Sequence, residues 1–287
     1  MHDFFFIAPA QDLLYSIFAC IIGLCIGSFL NVVIYRIPKI FTHESENYVA
    51  EQSGQPLPHT KRFNLFLPRS HCPHCNHRLR FWENIPLFSY IFLKGACSQC
   101  KSPISLRYFL IELSTAILSG ITAWHFGLTL QGFAALLFIY ILIALTFIDL
   151  DVQLLPDNLT LSLLWLGLLV NLKNVFSFSS SAIIGAAVGY LSLWLVYWIF
   201  KLTTGKEGMG YGDFKLLAAL GAWFGWQALP SLILISAVAG TLVGVTLILF
   251  YKHKRDIPIP FGPYLALAGL TMLFFKNNLP PLLLFPL

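Results

Sequence analysis

Apolar residues dominate eight stretches of the chain, at roughly 13–35, 104–125, 132–148, 158–172, 180–200, 214–228, 231–251 and 262–275. Several reach the ~20 residues that a helix needs to cross a bilayer. The stretches at 158–172, 214–228 and 262–275 are shorter, and are expected to be tilted, partly re-entrant or lengthened by flanking residues. One long polar region, 36–103, separates the first stretch from the second. The pattern predicts about eight transmembrane helices with a small domain between spans one and two. Within that domain, the polar run around 41–60 is expected to form a mobile loop. No tandem repeat or low-complexity tract interrupts the pattern.

Composition supports this reading. Hydrophobic residues make up 57% of the sequence and charged residues 11%, with a mean hydropathy of +0.74, against roughly 45–50% apolar in a soluble domain. This is an all-α polytopic membrane protein. The net charge of +5 is accounted for by orientation in the membrane rather than by nucleic-acid binding. With the N-terminus outside and the spans alternating, every Lys and Arg except Lys173 and Lys276 falls on the inner side. That includes Lys252, Lys254 and Arg255 near the end of the chain, and it places both termini outside. The first stretch is flanked by Asp3 and Asp12 and lacks a small-residue cleavage site, so it reads as a retained anchor.

The polar region carries four of the six cysteines. Cys72-Pro73-His74-Cys75 and Cys97-Ser98-Gln99-Cys100 are two CxxC knuckles. Four thiolates at this spacing suit a tetrahedral Zn²⁺. The charge pattern puts them in the reducing cytoplasm, where disulfides are disfavoured. A redox dithiol and free thiols are the competing readings. A closed Cys₄ site leaves no open coordination position, so the expected role is structural. His71, His74 and His77 crowd the first knuckle and are expected to flank it rather than to bind the ion. Cys20 and Cys25 in the first apolar stretch read as packing residues.

Few acids approach the membrane. Asp149, Asp151 and Asp157 lie between spans three and four, and Asp213 follows Gly208-Met209-Gly210-Tyr211-Gly212 at the start of span six. Alternation places Asp149 and Asp213 on the same side at similar depth. An acid at that depth is costly and marks a functional site by default. Two carboxylates that meet there can share one proton. One can then take a proton from water while the other polarises a scissile carbonyl. A glycine loop with an N-cap aspartate is the bland alternative for Asp213. Asp157 follows Pro156 and is expected to cap the next helix. Asp151 is expected to be solvated at the membrane edge. Glu112, two turns into span two, is expected either to pair with a basic group or to contact the site.

Five segments in order resemble the type IV prepilin peptidase family of Gly-x-Gly-Asp membrane aspartyl proteases. They are Gly27-Ser28-Phe29-Leu30-Asn31-Val32-Val33-Ile34-Tyr35-Arg36-Ile37-Pro38, the double CxxC, the acidic stretch 149–157, Gly210-Tyr211-Gly212-Asp213-Phe214-Lys215-Leu216 and Pro260-Phe261-Gly262-Pro263. The resemblance implies a bifunctional enzyme of the bacterial inner membrane. It would cut the basic leader from prepilins and pseudopilins on the cytoplasmic side, then methylate the new N-terminus with S-adenosylmethionine. The family's catalytic pair maps onto Asp149 and Asp213. The implied organisation is a first span at 1–35, a cytoplasmic zinc domain with the methyltransferase region at 36–103, and a peptidase core at 104–287. No GxGxxG turn marks a methyl-donor site; the resemblance places the donor in or beside 36–103, where Gly95 and Glu83-Asn84 are no more than candidates for contacts that the sequence does not name.

Three rival readings remain. A membrane aspartyl peptidase without methyltransferase activity would leave the cysteine domain without a task. A proton-coupled transporter should show two related halves with broken helices, and the sequence shows no such repeat. A zinc module that only binds partners would leave the membrane-edge aspartates unexplained.

Overall fold

The computed structural model describes residues 10–206, 208–251 and 259–276. Asp3, Lys252, Lys254, Arg255 and both chain ends lie outside the described residues. Each of the eight apolar stretches is a helix: α1 (Ala10–Gln52), α3 (Leu106–Phe126), α4 (Leu130–Val152), α5 (Asp157–Asn171), α6 (Ser179–Thr204), α7 (Tyr211–Phe224), α8 (Leu229–Tyr251) and α9 (Gly262–Phe275). A short α2 (Phe88–Phe92) lies in the polar region. Among the described residues there is no strand, only two isolated bridges. Five helices, α1, α3, α4, α6 and α8, are long and apolar enough to cross a bilayer. The other three have 15 residues in α5 and 14 each in α7 and α9, about 21–23 Å at ~1.5 Å per residue.

One expectation fails. Residues 41–52 are not a loop but the end of α1, which runs 43 residues without a break and contains Pro38. At ~1.5 Å per residue it is about 65 Å long, roughly twice the ~30 Å hydrocarbon core. It stops at Ser53 and Gly54, the latter at φ +64°. Beyond the stop, the chain folds back along the helix. The Asn47 amide nitrogen donates to the His59 carbonyl and the His59 N–H donates to Asn47 Oδ1, both at 3.0 Å.

The chain forms two compact units, with the division between Leu136 and Leu137 inside α4. In the first unit, α1 and α3 pack antiparallel over small residues. A Cβ on Gly27 would stand 2.8 Å from the Glu112 Cα, and Gly23 faces Ser119 as closely. Such small-residue seams let helices approach within lipid, where apolar burial alone gives no drive to associate.

In the second unit, α7 is the centre. Every residue from Asp213 to Phe224 except Lys215 is buried. A helix apolar all round belongs inside a bundle, which accounts for its shortness. Its far end is held by polar bonds that lipid cannot supply. The buried Asn171 donates to the Ala222 and Trp223 carbonyls, both at 2.8 Å, and accepts from the Phe176 and Ser177 amides. Trp223 Nε1 donates to the Leu163 carbonyl of α5 at 2.8 Å. Phe138 of α4 meets the Trp223 and Phe224 rings.

Candidate active site and metal centre

Asp149 lies on the last turn of α4 and Asp213 on the first turn of α7. Both are buried, at 5% and 7% exposure, and Asp149 is near enough for its charge to bear on Asp213. A glycine lies against each carboxylate. Gly262 N donates to Asp149 Oδ2 at 3.0 Å across 113 residues, and the Gly210 amide points at the Asp213 carboxylate. Leu155 packs against the glycines on both sides. Gly212 and Gly262 both pack on its side chain so closely that a Cβ would stand 2.6 Å and 3.1 Å from it. The site is therefore assembled from three helix ends and one leucine, with glycine wherever backbone must approach.

Gly262 has the sharpest requirement. A Cβ there would lie 2.6 Å from Asp149 Oδ2 and 3.2 Å from its Cγ. The sequence marks this glycine only as part of Pro260-Phe261-Gly262-Pro263. Pro263 at the start of α9 fixes the helix entry, where proline has no amide bond to lose, and so aims the preceding Gly262 N–H at the carboxylate.

The neighbouring acids differ from expectation. Asp157 does not cap α5. Pro156 occupies the cap position without a side-chain bond, and Asp157, as first helical residue, reaches Lys215 Nζ of α7 at 2.6 Å. It thus ties α5 to the helix that carries Asp213. Asp151 is exposed, as expected. Glu112 is buried in the first unit, where it accepts the Leu87 N–H at 2.8 Å and bonds to the Ser28 and Asn31 side chains.

The four cysteines come together. The sulfurs of Cys72, Cys75, Cys97 and Cys100 all lie within 4.8 Å of one another, and no histidine joins the cluster. Cys72 and Cys100 are 3.8 Å apart and Cys75 and Cys97 3.9 Å. Tetrahedral zinc with ~2.3 Å bonds requires sulfur spacings of about 3.8 Å, so the donor set fits Zn²⁺. The two knuckles repeat each other. Cys72 N donates to the His77 carbonyl and Cys97 N to that of Ser102, and the turns close with Asn76 and Lys101 at φ +56° and +59°. The amides of Cys75 and His74, aimed at the Cys72 sulfur, hold that thiol well below its ordinary value, at about 6, while Cys75, against the pull of the His77 amide, is pushed up to about 12 by burial and the three neighbouring sulfurs, so the four thiols do not ionise alike.

Glu83 and Gly95 are committed to this fold. Glu83 bridges the knuckles, accepting the Arg80 N–H at 2.7 Å and bonding to His77 at 3.0 Å and to Ser98. The Arg80 amide, then the Ser98 hydroxyl, hold its carboxyl at about 2. Gly95 adopts φ +67° against Tyr90.

Comparison with known proteins places the chain in a family. The family description "Bacterial Peptidase A24 N-terminal domain" matches residues 21–126, and "Type IV leader peptidase family" matches 136–245. A prepilin leader peptidase/N-methyltransferase of Stutzerimonas stutzeri is 52% identical over 271 residues, 94% of either chain. The chain belongs to the type IV leader peptidase family. A protein of the same description from Pseudomonas aeruginosa is also 52% identical, over 94% of this chain and 93% of its own. One from Legionella pneumophila is 47% identical over 90% of each. No solved structure matches.

Proposed function

We propose that this chain removes the leader peptide from type IV prepilins and pseudopilins and then methylates the new N-terminal residue with S-adenosylmethionine as co-substrate. The observation that carries the peptidase reading is the buried pair Asp149 and Asp213 at the ends of apolar helices, with Asp149 held by the Gly262 amide. One carboxylate accepts a proton from the attacking water, and the other donates to the scissile carbonyl or leaving amine. Gly262 holds Asp149 by one oxygen and so sets its orientation. The glycines before Asp213 let an extended substrate backbone approach.

The rest of the organisation follows the same proposal. The protein resides in the bacterial inner membrane, with both termini periplasmic and the cysteine cluster cytoplasmic. A prepilin lying in the bilayer with its leader in the cytoplasm presents its scissile bond at the depth of the two aspartates. Cys72, Cys75, Cys97 and Cys100 hold a Zn²⁺ whose contribution is to fix the fold of residues 36–103. That region is the methyltransferase part and 104–287 the peptidase core.

The test is direct. Purified protein in lipid, given a prepilin and labelled S-adenosylmethionine, should yield a shortened pilin carrying label on its new N-terminus. A shortened pilin without label would leave a peptidase alone, and an uncut prepilin would overturn the reading.

A further inference from the structure

Between the two knuckles, residues 81–84 form a 3₁₀ turn and residues 88–92 form α2, and neither contains a buried residue. What they expose is apolar and large. Phe81 is 78% exposed and Phe92 80%, and Trp82, Ile85, Phe88 and Ile91 are exposed beside them. An apolar patch of this kind on a polar domain marks a binding surface.

Its depth identifies the partner. Leu87, between the turn and α2, donates its N–H to Glu112 Oε2 at 2.8 Å. Glu112 lies six residues into α3, about 9 Å along the helix from Leu106 at ~1.5 Å per residue. The α3 helix is long and apolar enough to cross a bilayer, and its first turns expose Leu106 and Leu110. The same carboxylate bonds to Ser28 and Asn31 of α1, and Asn31 donates to the Tyr108 carbonyl. The aromatic segment is therefore pinned at the level where α1 and α3 enter the membrane.

Charge points the same way. From residue 61 to residue 107 the chain has eight Lys and Arg and one acid, Glu83, and Glu83 is held within the knuckles. Arg80 lies over the Trp82 ring at 5.3 Å. Aromatic side chains flanked by basic ones suit the boundary between acyl chains and anionic headgroups.

We propose that residues 81–92 are a membrane-docking element, laid on the anionic lipid surface with Phe81, Trp82, Phe88 and Phe92 in the acyl boundary. The element keeps the cysteine domain flat against the bilayer instead of free in solution.

Photo-crosslinking tests this. Phe81, Phe88 and Phe92 are each replaced by p-benzoylphenylalanine in the full chain, in nanodiscs containing phosphatidylglycerol, with zinc content confirming an intact fold. Ile183, 61% exposed on α6, serves as the lipid-facing reference, and Tyr48, 64% exposed near the end of α1, as the reference away from lipid. Irradiation should add the mass of one phospholipid at two or more of the three phenylalanine positions and at Ile183, but not at Tyr48. No lipid adduct at the three positions, with one present at Ile183, would overturn the proposal. So would adducts to an added prepilin in place of lipid.

Discussion

Gly262→Ala is the sharpest probe of the peptidase site, because the substitution changes one methyl group and touches one catalytic candidate. The new Cβ would start 2.6 Å from Asp149 Oδ2 and 3.2 Å from Cγ, with Leu155 Cδ2 at 3.1 Å on the other side. Ordinary contact begins near 3.4 Å, so the carboxylate or the α9 backbone must yield by about 0.8 Å. Leu155 blocks relief in that direction, because it is itself buried and packed on Gly212. A displacement of about 1 Å in a reacting group can cost ~100-fold in rate, equivalent to about 2.7 kcal/mol at ~1.36 kcal/mol per tenfold. Prepilin cleavage by Gly262→Ala enzyme in membranes, at matched protein level, should therefore fall by about two orders of magnitude. Gly244→Ala on α8 is the control. Its Cβ would meet nothing nearer than Ile259 Cδ1 at 3.4 Å, an ordinary contact, so most of the activity should remain. If Gly262→Ala cleaves at near wild-type rate, the Gly262 bond does not position a catalytic carboxylate.

Three further outcomes follow from other parts of the molecule. Metal analysis of the pure protein should find about one Zn²⁺ per chain, lost in Cys72→Ser or Cys97→Ser, while Glu83→Gln should release zinc to a chelator faster than wild type. Asn171→Leu strips four backbone groups of their partner inside the bundle. At ~1–3 kcal/mol for each unmet group, it should destabilise by about 4 kcal/mol or more, read as a lower unfolding temperature in detergent. Asp157→Asn breaks an ion pair whose side chains are 25% and 55% exposed, so it should cost only about 0.5 kcal/mol and leave cleavage largely intact. A severe loss of cleavage in that variant would give Asp157 a role beyond tying α5 to α7.

The spans were legible because lipid imposes one rule on every residue inside it. Each apolar run became a helix, with ends within a few residues of those read from hydropathy. The end of α1 is not legible in the same way, because a polar run outside lipid can be either loop or helix. From Lys39 to Gln52 the chain is polar, yet it contains neither Gly nor Pro, and nothing in it stops a helix until Ser53 and Gly54. The CxxC spacing carried the thiol cage, since four sulfurs on two short turns have few other arrangements. Asp157 was misread because its helical position depends on which residue takes the cap, and Pro156 took it. The Gly262 bond to Asp149 and the Asn171 bonds join residues distant in sequence, and no local pattern encodes them.

The proposed cleavage needs Asp149 and Asp213 to act together, and the decisive measurement is cleavage of a prepilin by Asp149→Asn and Asp213→Asn enzymes. Asparagine keeps the size of the side chain but cannot carry the proton. Both variants, expressed at wild-type level, should lose cleavage by orders of magnitude, while each still methylates a pilin supplied with its leader already removed. Cleavage at near wild-type rate by either variant would remove that residue from the pair and contradict the account.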